Sequence, residues 1–273
     1  MQKSLFSTTA QTNTVNLADC LQVGKEYSVF ALNIQNAGMN RIEGIFNLLK
    51  NTNPDIIALS ELKNKPSTEV LFEKLHDLGY ISTPIFDSRV DVYHSAVLSR
   101  IKFKNLKVET PVLKNRVKVT KFNMNEPNAY LLIISVYGFA HNLKNSDDRK
   151  NFKSAFEERI LNRLNGRNHN VIILGDLNIL EKQFHDTFPN WVIEDAAHFN
   201  HFRKCHYIDY FRKTRGNEAG YTWYSPRTGI GQRLDYIFSS EAICSSITTL
   251  DIHHELRLQK ISDHSGLSLR LRL

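Results

Sequence analysis

The sequence predicts a layered α/β fold, in which two mixed β-sheets pack together and helices flank their outer faces in the order α/β/β/α. Two observations carry this prediction. Short apolar runs typical of buried strands alternate with amphipathic helical segments, and one strand–helix–strand unit occurs twice along the chain. No Pro- or Ser-rich linker divides the 273 residues, so residues 26–273 are expected to form one domain that follows an N-terminal tail at residues 1–25.

The first strand–helix–strand unit begins at Tyr27. The run YSVFALNIQN is mostly apolar and ends in amides, which is typical of a buried strand. The next run, NRIEGIFNLLK, has apolar residues at helical spacing from Ile42 onward, and Pro54 ends that helix. The run DIIALSE then predicts a second, fully buried strand.

The second unit has the same design. LLIISVYGF predicts an apolar strand, and DDRKNFKSAFEERILNRLN predicts an amphipathic helix with apolar residues four apart between Phe152 and Leu164. Two aspartates at the start of this helix suit the helix dipole, and Gly166 ends it. VIILGDLN follows as another buried strand, so the sequence predicts a pseudo-duplicated fold.

Strands of another kind lie between and after these units. SAVLSR, the alternation around Ile101 and Phe103, and RVKVTKF predict half-exposed antiparallel strands. The last run, SGLSLRLRL, places its alternate leucines on one face and predicts a core strand.

The composition excludes several protein classes. Hydrophobic residues make up 41% and charged residues 23%, which is ordinary for a globular chain and excludes disorder, collagen and coiled coil. No apolar run approaches the roughly 18 residues that span a bilayer. The first residues lack the apolar stretch of a secretory signal, and Cys20, Cys205 and Cys244 form no CxxC pair, so we expect reduced thiols in the cytoplasm.

Charge indicates the kind of partner. The chain has 35 Lys and Arg against 28 Asp and Glu, a formal net charge of +7. An excess of positive charge favours a polyanionic partner, and no membrane or obligate protein partner is evident.

Acidic, amide and histidine side chains flank the ends of the predicted buried strands. In layered α/β folds such strand ends converge on one rim, where ligand sites form. Crowded carboxylates at a rim repel one another and raise each other's pKa unless a cation lies between them. Oxygen ligands without cysteine suit Mg²⁺ or Mn²⁺, and a divalent cation with few protein ligands suits phosphate-ester chemistry. The residues concerned are Asn33, Glu61, Asp176, Asn178, Asp235, Asp263 and His264.

Six motifs in a fixed order make the chain recognisable. They are ALNIQNAG, DIIALSELK, the YG segment at Tyr137, GDLN, YTWYSPRTGIGQRLDYIF and SDHSGLSL. From about Val29 to Leu273 the chain resembles the endonuclease/exonuclease/phosphatase superfamily and, within it, the exonuclease III-like abasic-site (AP) endonucleases.

The resemblance implies a metal site. Glu61 would be the principal Mg²⁺ ligand, Asn33 would support the site through a hydrogen bond or a water, and Asp263 would lie close to the metal. Gln35 stands where relatives often have Asn or Asp, which would change the metal affinity without removing the site.

The resemblance also implies catalytic roles. Tyr137 would contact the scissile phosphate, Asp176 would position or deprotonate the attacking water, and Asn178 would hold that water or a phosphate oxygen. Asp235 would pair with His264, which would stabilise charge on the phosphate. The implied reaction is an in-line displacement that leaves a 5′-phosphate and a 3′-hydroxyl. The segment GFAHN after Tyr137 replaces the family's commoner proline-containing segment, which bears on the substrate more than on the chemistry.

Two segments are candidates for a nucleic-acid surface. In residues 198–215, Lys and Arg alternate with aromatics, which either stack on bases or belong to the core. In residues 223–233, a Gly-rich turn would present two arginines near the rim, and its tryptophan either lines the substrate pocket or is a core residue. The candidate nucleic-acid contacts are Arg203, Lys204, Arg212, Lys213, Trp223, Arg227 and Arg233.

The favoured hypothesis is a Mg²⁺-dependent phosphodiesterase that acts on DNA, most plausibly double-stranded. The alternatives within the superfamily are an RNA nuclease, a mobile-element nicking endonuclease and a lipid or sugar phosphatase. A binding protein without activity is less plausible, because an unoccupied carboxylate cluster destabilises a fold and all the acids are present.

Overall fold

Two six-stranded mixed sheets form the centre of the protein, whose computed structural model describes residues 17–84, 92–140, 146–184 and 189–273. The strands are β1 (Glu26–Asn33), β2 (Ile56–Lys63), β3 (Ile81–Ser82), β4 (Tyr93–Ser99), β5 (Lys104–Leu106), β6 (Val117–Asn123), β7 (Tyr130–Tyr137), β8 (Val171–Asp176), β9 (Tyr207–Asp209), β10 (Trp223–Tyr224), β11 (Gly231–Gln232), β12 (Asp235–Ser240), β13 (Ile247–His253) and β14 (Gly266–Arg272). The helices are α1 (Met39–Thr52), α2 (Pro66–Asp77), α3 (Ser146–Phe156), α4 (Pro189–Lys204), α5 (Tyr210–Arg215) and α6 (Glu255–Leu258).

Each sheet is built around one parallel pair of strands. The first sheet has the order β13-β14-β1-β2-β4-β3, and β1 and β2 are parallel and joined through α1. The second has the order β5-β6-β7-β8-β12-β9, and β7 and β8 are parallel and joined through α3. The neighbouring strands pair antiparallel, and β10 and β11 form a separate hairpin. The predicted repetition of one strand–helix–strand unit is confirmed.

Apolar side chains fill three interfaces, which together give the predicted four layers. Residues such as Ala58 and Leu174 pack between the two sheets. Leu49 of α1 and Leu71 of α2 pack on the outer face of the first sheet, while α3 and α4 cover the outer face of the second through side chains such as Phe202. Burial of a side chain of this size contributes roughly 1.5–3 kcal/mol, so each helix is held to its sheet mainly by its apolar face.

Two of the strands predicted as half-exposed are mostly buried on both faces, which corrects that expectation for β4 and β6, whereas Lys102 and Lys104 beside Ile101 are exposed as predicted. The polar side chains of β4 and β6 that are buried include hydroxyls inside the protein. Thr120 Oγ1 donates to the carbonyl of Ile133 at 2.9 Å, and Ser99 Oγ donates to the carbonyl of Asp55 at 3.2 Å. A hydroxyl that bonds to the backbone is buried at little cost. Polar residues in these strands therefore do not mark a face that is exposed to water.

Residues 17–24 pack against the sandwich although they belong to the segment predicted as a tail. Leu21 is fully buried between the sheets, and its N–H donates to the carbonyl of Asn123 at 2.9 Å. Ala18 forms a bridge with Ile101. In the described part of the chain, no helix has both the length and the apolar character needed to cross a membrane.

Candidate active site

The site lies where the ends of the parallel strands of both sheets meet. Asn33 ends β1, Tyr137 ends β7 and Asp176 ends β8, while Glu61 lies near the end of β2. Asp235 begins β12, which runs antiparallel to β8, and it pairs directly with Asp176 in the ladder. The side chains that sequence reasoning placed on one rim are therefore brought together.

Asn33 connects the two sheets at the centre of the rim. Its Nδ2 donates to Glu61 Oε2 at 2.9 Å and to Asp176 Oδ2 at 2.8 Å, and its Oδ1 accepts from the N–H of Gln35 at 2.7 Å. Ser262 Oγ donates to the carbonyl of Asn33 at 2.6 Å. One amide thus fixes two carboxylates that belong to different sheets.

His264 and Asp235 form a buried pair beside Asn33. Nδ1 of His264 lies 2.8 Å from Asp235 Oδ2, while its Nε2 lies 3.4 Å from Asn33 Nδ2 and 4.0 Å from Asp176 Oδ2. Burial alone would lower the pKa of His264, but the carboxylates of Asp235, Asp176 and Asp263 together raise that pKa to about 10. At neutral pH the imidazole is therefore charged, and its Nε2–H points into the site.

Two functional side chains sit on left-handed backbone. Glu61 has φ 57° and lies at an irregularity of the β2–β4 ladder between Leu59 and Leu62. Asn178 has φ 52°, its N–H donates to Asp176 Oδ1 at 3.0 Å, and its Nδ2 donates to the carbonyl of Gly138 at 3.3 Å. Such backbone costs about 1–3 kcal/mol at a non-glycine residue, so the surrounding contacts must hold it in place.

Glycines allow the strand ends to approach one another. Gly175 has φ +126°, and a Cβ there would overlap the carbonyl oxygen of Val136 on the neighbouring strand. A Cβ on Gly138 would overlap the carbonyl oxygen of Leu177. The glycines of the YG and GDLN motifs are therefore required for the close packing of the segments that carry Tyr137 and Asp176.

The rim carries uncompensated negative charge. Burial raises the pKa of Asp176, and the charges of Asp235 and Glu61 add to that rise against the effects of His264 and Asn33. Burial likewise raises the pKa of Glu61. Asp263 Oδ2 accepts from Trp223 Nε1 at 3.1 Å, whereas its buried Oδ1 has no hydrogen-bond partner among the described residues. A cation bound at this rim would stabilise the ionised carboxylates.

The residues present fit a metal ion that needs few protein ligands. In the described ranges, no group of three or more His, Cys, Asp or Glu side chains is arranged to hold a metal. Glu61, with Asp263 close enough to influence its pKa, supplies the oxygens that Mg²⁺ prefers when it is bound by one or two carboxylates and water. The side-chain oxygen of Gln35 accepts from Arg41 Nη1 at 2.6 Å.

Two residues that contact Tyr137, Arg116 and Tyr93, were not predicted from the sequence. The Arg116 guanidinium lies 4.7 Å from the centroid of the Tyr137 ring, and its Nη1 donates to the carbonyls of Tyr137 and Gly138 at 3.3 and 3.1 Å. The Tyr93 ring lies 5.5 Å from that of Tyr137. Burial and the charges of Glu61 and Asp176 raise the pKa of Tyr137, so its hydroxyl remains a donor. Arg116 and Tyr93 come from β-strands whose sequences show only a strand pattern.

The aromatics of residues 198–215 are core residues, so of the two interpretations left open by the sequence the core role holds. All of them are buried, and the helix α4 carries two of them against the second sheet. They are Phe199, Phe202, Tyr207, Tyr210 and Phe211.

The predicted basic contacts divide into exposed and buried residues. Arg203, Lys204, Lys213 and Arg227 are exposed, as a polyanion-binding surface requires. Arg233 is only 3% exposed, and it forms ion pairs with buried carboxylates, so the expectation that it presents its charge at the surface is wrong. The reason is its position directly after β11, where its side chain points into the protein.

Arg212 and Trp223 have intermediate positions. Arg212 pairs with Glu181 at 2.7 Å and belongs to the same buried network as Arg233, in which Asp209 is the second acid. Trp223 is half-buried, forms an isolated bridge with His264 and is bonded to Asp263, so it is part of the rim itself.

Comparison with known proteins identifies the family. The endonuclease/exonuclease/phosphatase family matches residues 31–264, whereas no curated protein matches the chain significantly. The fold is similar to that of a 3′–5′ exonuclease from Neisseria meningitidis and of an AP endonuclease from Archaeoglobus fulgidus. Each has a TM-score of 0.75 and 20% identity over 90% of this chain and 100% of the other. A 3′ phosphatase from Neisseria bound to a product DNA hairpin has a TM-score of 0.74 and 19% identity, with the same coverage of both chains. This chain belongs to the endonuclease/exonuclease/phosphatase family and is a hydrolase that acts on phosphoester bonds.

Proposed function

We propose that the protein is a Mg²⁺-dependent nuclease of the exonuclease III-like kind, which hydrolyses phosphodiester bonds of double-stranded DNA. The observation that carries the proposal is the connected cluster at the rim. Asn33 bonds to both Glu61 and Asp176, and Nε2 of His264 lies 4.0 Å from Asp176 Oδ2. The cluster combines three groups within a single site: Asp176 as a proton acceptor, His264 as a positively charged hydrogen-bond donor and Glu61 as a carboxylate that can bind a cation.

Asp176 is the proposed general base. Its carboxylate is buried and is held by hydrogen bonds from Asn33 and from the N–H of Asn178. Because its pKa is raised towards neutral pH, it is a stronger base than an ordinary carboxylate. In the proposed step, a water oxygen bonds to phosphorus and its proton passes to Asp176. The P–O bond on the opposite side breaks with its electron pair on the 3′ oxygen, which takes a proton from solvent water. The products are a 3′-hydroxyl and a 5′-phosphate.

His264 and Tyr137 stabilise the charge that develops on the phosphate oxygens. The Nε2–H of His264 is charged and points into the site because Asp235 holds Nδ1, and the Tyr137 hydroxyl is a protonated donor. Preorganised donors of this kind act where charge increases in the transition state. A divalent cation held by Glu61, when bound, supplies further positive charge to the phosphate.

The substrate assignment rests on charge and on the relatives. The net charge is +7, and the exposed Arg227 lies in the turn between β10 and β11, a hairpin that pairs with His264 at the rim. Arg203 and Lys204 are also exposed, but they precede β9 at the end of the second sheet away from the rim, because β9 begins against the far end of β12. The similar Neisseria phosphatase binds a DNA hairpin, and the similar Archaeoglobus protein is an AP endonuclease. If the protein binds nucleic acid mainly through the phosphates, its affinity should fall steeply as the salt concentration increases.

The test is a panel of labelled substrates with Mg²⁺ and with EDTA. The panel contains intact, nicked and abasic-site duplex DNA, single-stranded DNA, RNA and a small phosphomonoester. Mg²⁺-dependent cleavage of duplex DNA with 3′-hydroxyl ends is the expected result. Cleavage of RNA alone would replace the proposal by an RNA nuclease, and hydrolysis of the phosphomonoester alone would replace it by a phosphatase.

A further inference from the structure

A basic cleft borders the reaction centre on the side of the first sheet. It has a volume of about 270 Å³ and is lined by Arg41, Tyr224, Arg257 and Lys260. Its inner wall is formed by Asp263, so the cleft and the proposed metal site share one residue. Of these four residues only Tyr224 lies in a sequence motif, and none of the four takes part in the reaction described above.

The basic cleft keeps a net positive charge, since Arg41, Arg257 and Lys260 stand against the single carboxylate of Asp263. Among the described residues, Arg41, Arg257 and Lys260 form no ion pair with a carboxylate, in contrast to Arg212 and Arg233 on the other side of the rim. Nε of Arg257 is shielded from water and has no hydrogen-bond partner in the described part of the chain. Buried donors without a partner are costly, so these groups are suited to an external anion.

Two of the three cations, Arg41 and Arg257, are also held in position before any ligand binds. Arg41 donates through Nη1 and Nη2 to the side-chain and main-chain oxygens of Gln35, at 2.6 and 2.8 Å. The Arg257 guanidinium lies 4.2 Å from the centroid of the Tyr224 ring. Because the charged groups are fixed by these contacts, less side-chain entropy is lost when an anion binds.

Tyr224 gives the cleft an exposed aromatic side chain, and two exposed apolar residues lie within two positions of the cations along the chain. Tyr224 is 38% exposed although it is aromatic and packed against Arg257. Met39, which begins α1, and Leu258, which follows Arg257, are 55% and 69% exposed. Phosphate-binding cations next to exposed apolar and aromatic surface are the combination that a nucleotide requires, since its phosphate is charged and its base stacks.

We infer that the basic cleft is a nucleotide subsite, which binds the backbone phosphate next to the scissile one through Arg41, Arg257 and Lys260 while Tyr224 contacts the adjoining base or sugar. The inference rests on the proposed function. It assigns to Gln35 the role of holding Arg41 at the cleft. The subsite would fix which phosphodiester of a bound strand reaches Asp176.

The test compares two double variants of the full chain. Arg257→Gln with Lys260→Gln removes two charges from the cleft, and Lys50→Gln with Arg272→Gln removes two exposed charges at the opposite end of the first sheet. Affinity for a duplex oligonucleotide is measured in EDTA over a series of salt concentrations. The cleft variant is expected to bind at least about tenfold more weakly and to lower the slope of log affinity against log salt by about 1 to 2. The control variant is expected to match the wild type.

A second measurement locates the phosphate. Oligonucleotides with one uncharged methylphosphonate linkage, placed at successive positions around the cleavage point, are compared for the wild type and the cleft variant. Loss of affinity at a linkage next to the cleavage point in the wild type, absent in the variant, is expected. If the double variant melts at a lower temperature than the wild type, the single variant Lys260→Gln replaces it in both measurements, because this substitution changes an exposed side chain.

The outcomes separate the subsite from the proposed function. If the wild type cleaves DNA but the cleft variant behaves like the control, the subsite is wrong and the nuclease assignment stands. If affinity falls without sensitivity to a particular linkage, the cleft acts only through its general charge, and the subsite is also wrong. If the wild type cleaves no nucleic acid with Mg²⁺, the proposed function and the subsite both fail.

Discussion

Replacing Asp176 by asparagine removes a negative charge from the centre of the rim and preserves the shape of the side chain. The amide oxygen can still accept from the N–H of Asn178, a bond that measures 3.0 Å. The variant loses the proton acceptor, so kcat for DNA cleavage is expected to fall by a factor of about 10²–10⁴. Affinity for the duplex should change little, because Asp176 is 1% exposed.

The same substitution is expected to stabilise the metal-free fold. Burial, with the charges of Asp235 and Glu61, raises the pKa of Asp176 from 3.8 to about 8, so the ionised form is favoured in the unfolded chain. Ionisation of this group therefore opposes folding, and asparagine removes that opposition. The lost attraction to His264 and the lost 2.8 Å hydrogen bond from Asn33 Nδ2 to Asp176 Oδ2 subtract from the gain. We expect a net increase of about 1–3 kcal/mol in the free energy of unfolding near neutral pH.

The stability difference between the Asp176→Asn variant and the wild type should depend on pH. Below pH 3.8 the carboxyl is protonated in both states, so the variant and the wild type should be equally stable. Their difference should grow as pH rises above 3.8 and reach its full size above about 8. Urea unfolding in EDTA over this range measures the difference, and Asp251→Asn, at an exposed position of β13, is the matched control.

Two results would refute the reasoning about Asp176. Near-normal turnover of the variant would show that another group accepts the proton. A variant that is less stable than the wild type at every pH would show that the carboxylate is a net stabilising element of the fold rather than a strained part of the site.

The other predictions concern the supports of the site. Asp235→Asn should lower the pKa of His264 in an NMR titration and reduce kcat by about 10²–10³, and an unchanged imidazole pKa would contradict the pairing. Glu61→Gln should raise the Mg²⁺ concentration for half-maximal activity, and an unchanged Mg²⁺ dependence would remove Glu61 from the metal site. Arg233→Met should lower the free energy of unfolding by about 3–5 kcal/mol, because Asp209 loses its ion-pair partner and Glu181 keeps only Arg212, and a loss below 1 kcal/mol, as expected for a surface ion pair, would contradict the buried network. Gly175→Ala should cost more than about 1 kcal/mol in the same urea experiment, and tolerance of the methyl group would show that the strands can separate there.

The predictable part of the site lies at the ends of buried strands. Asn33 and Asp176 each close an apolar run, so hydrophobic periodicity locates them, whereas Tyr137 is identified only through the family resemblance. The parallel pairing of the strands brings the three together. The left-handed backbone at Glu61 depends on the pairing of β2 with β4, which local sequence does not encode. Arg116 joins the site only because β6 pairs with β7.

The basic segments show where charge patterns mislead. Residues 198–215 combine Lys and Arg with aromatics, a pattern common to nucleic-acid surfaces and to helices that cover a sheet. The aromatics face the second sheet, and Arg212 and Arg233 neutralise Glu181 and Asp209 inside the protein. Conversely, the unpaired cations of the basic cleft are spread over distant parts of the chain, at Arg41 and residues 257–260, so no local run of charge marks them.

The central claim is that the rim activates water against a phosphodiester of DNA, and isotope transfer from water tests it most directly. Cleavage of abasic-site duplex DNA in ¹⁸O-labelled water with Mg²⁺ should place one ¹⁸O atom in the 5′-phosphate of the product and none in the 3′-hydroxyl. Product should be absent with EDTA and with Asp176→Asn. Label in the 3′-hydroxyl, or the same product from the Asp176→Asn variant, would contradict the account.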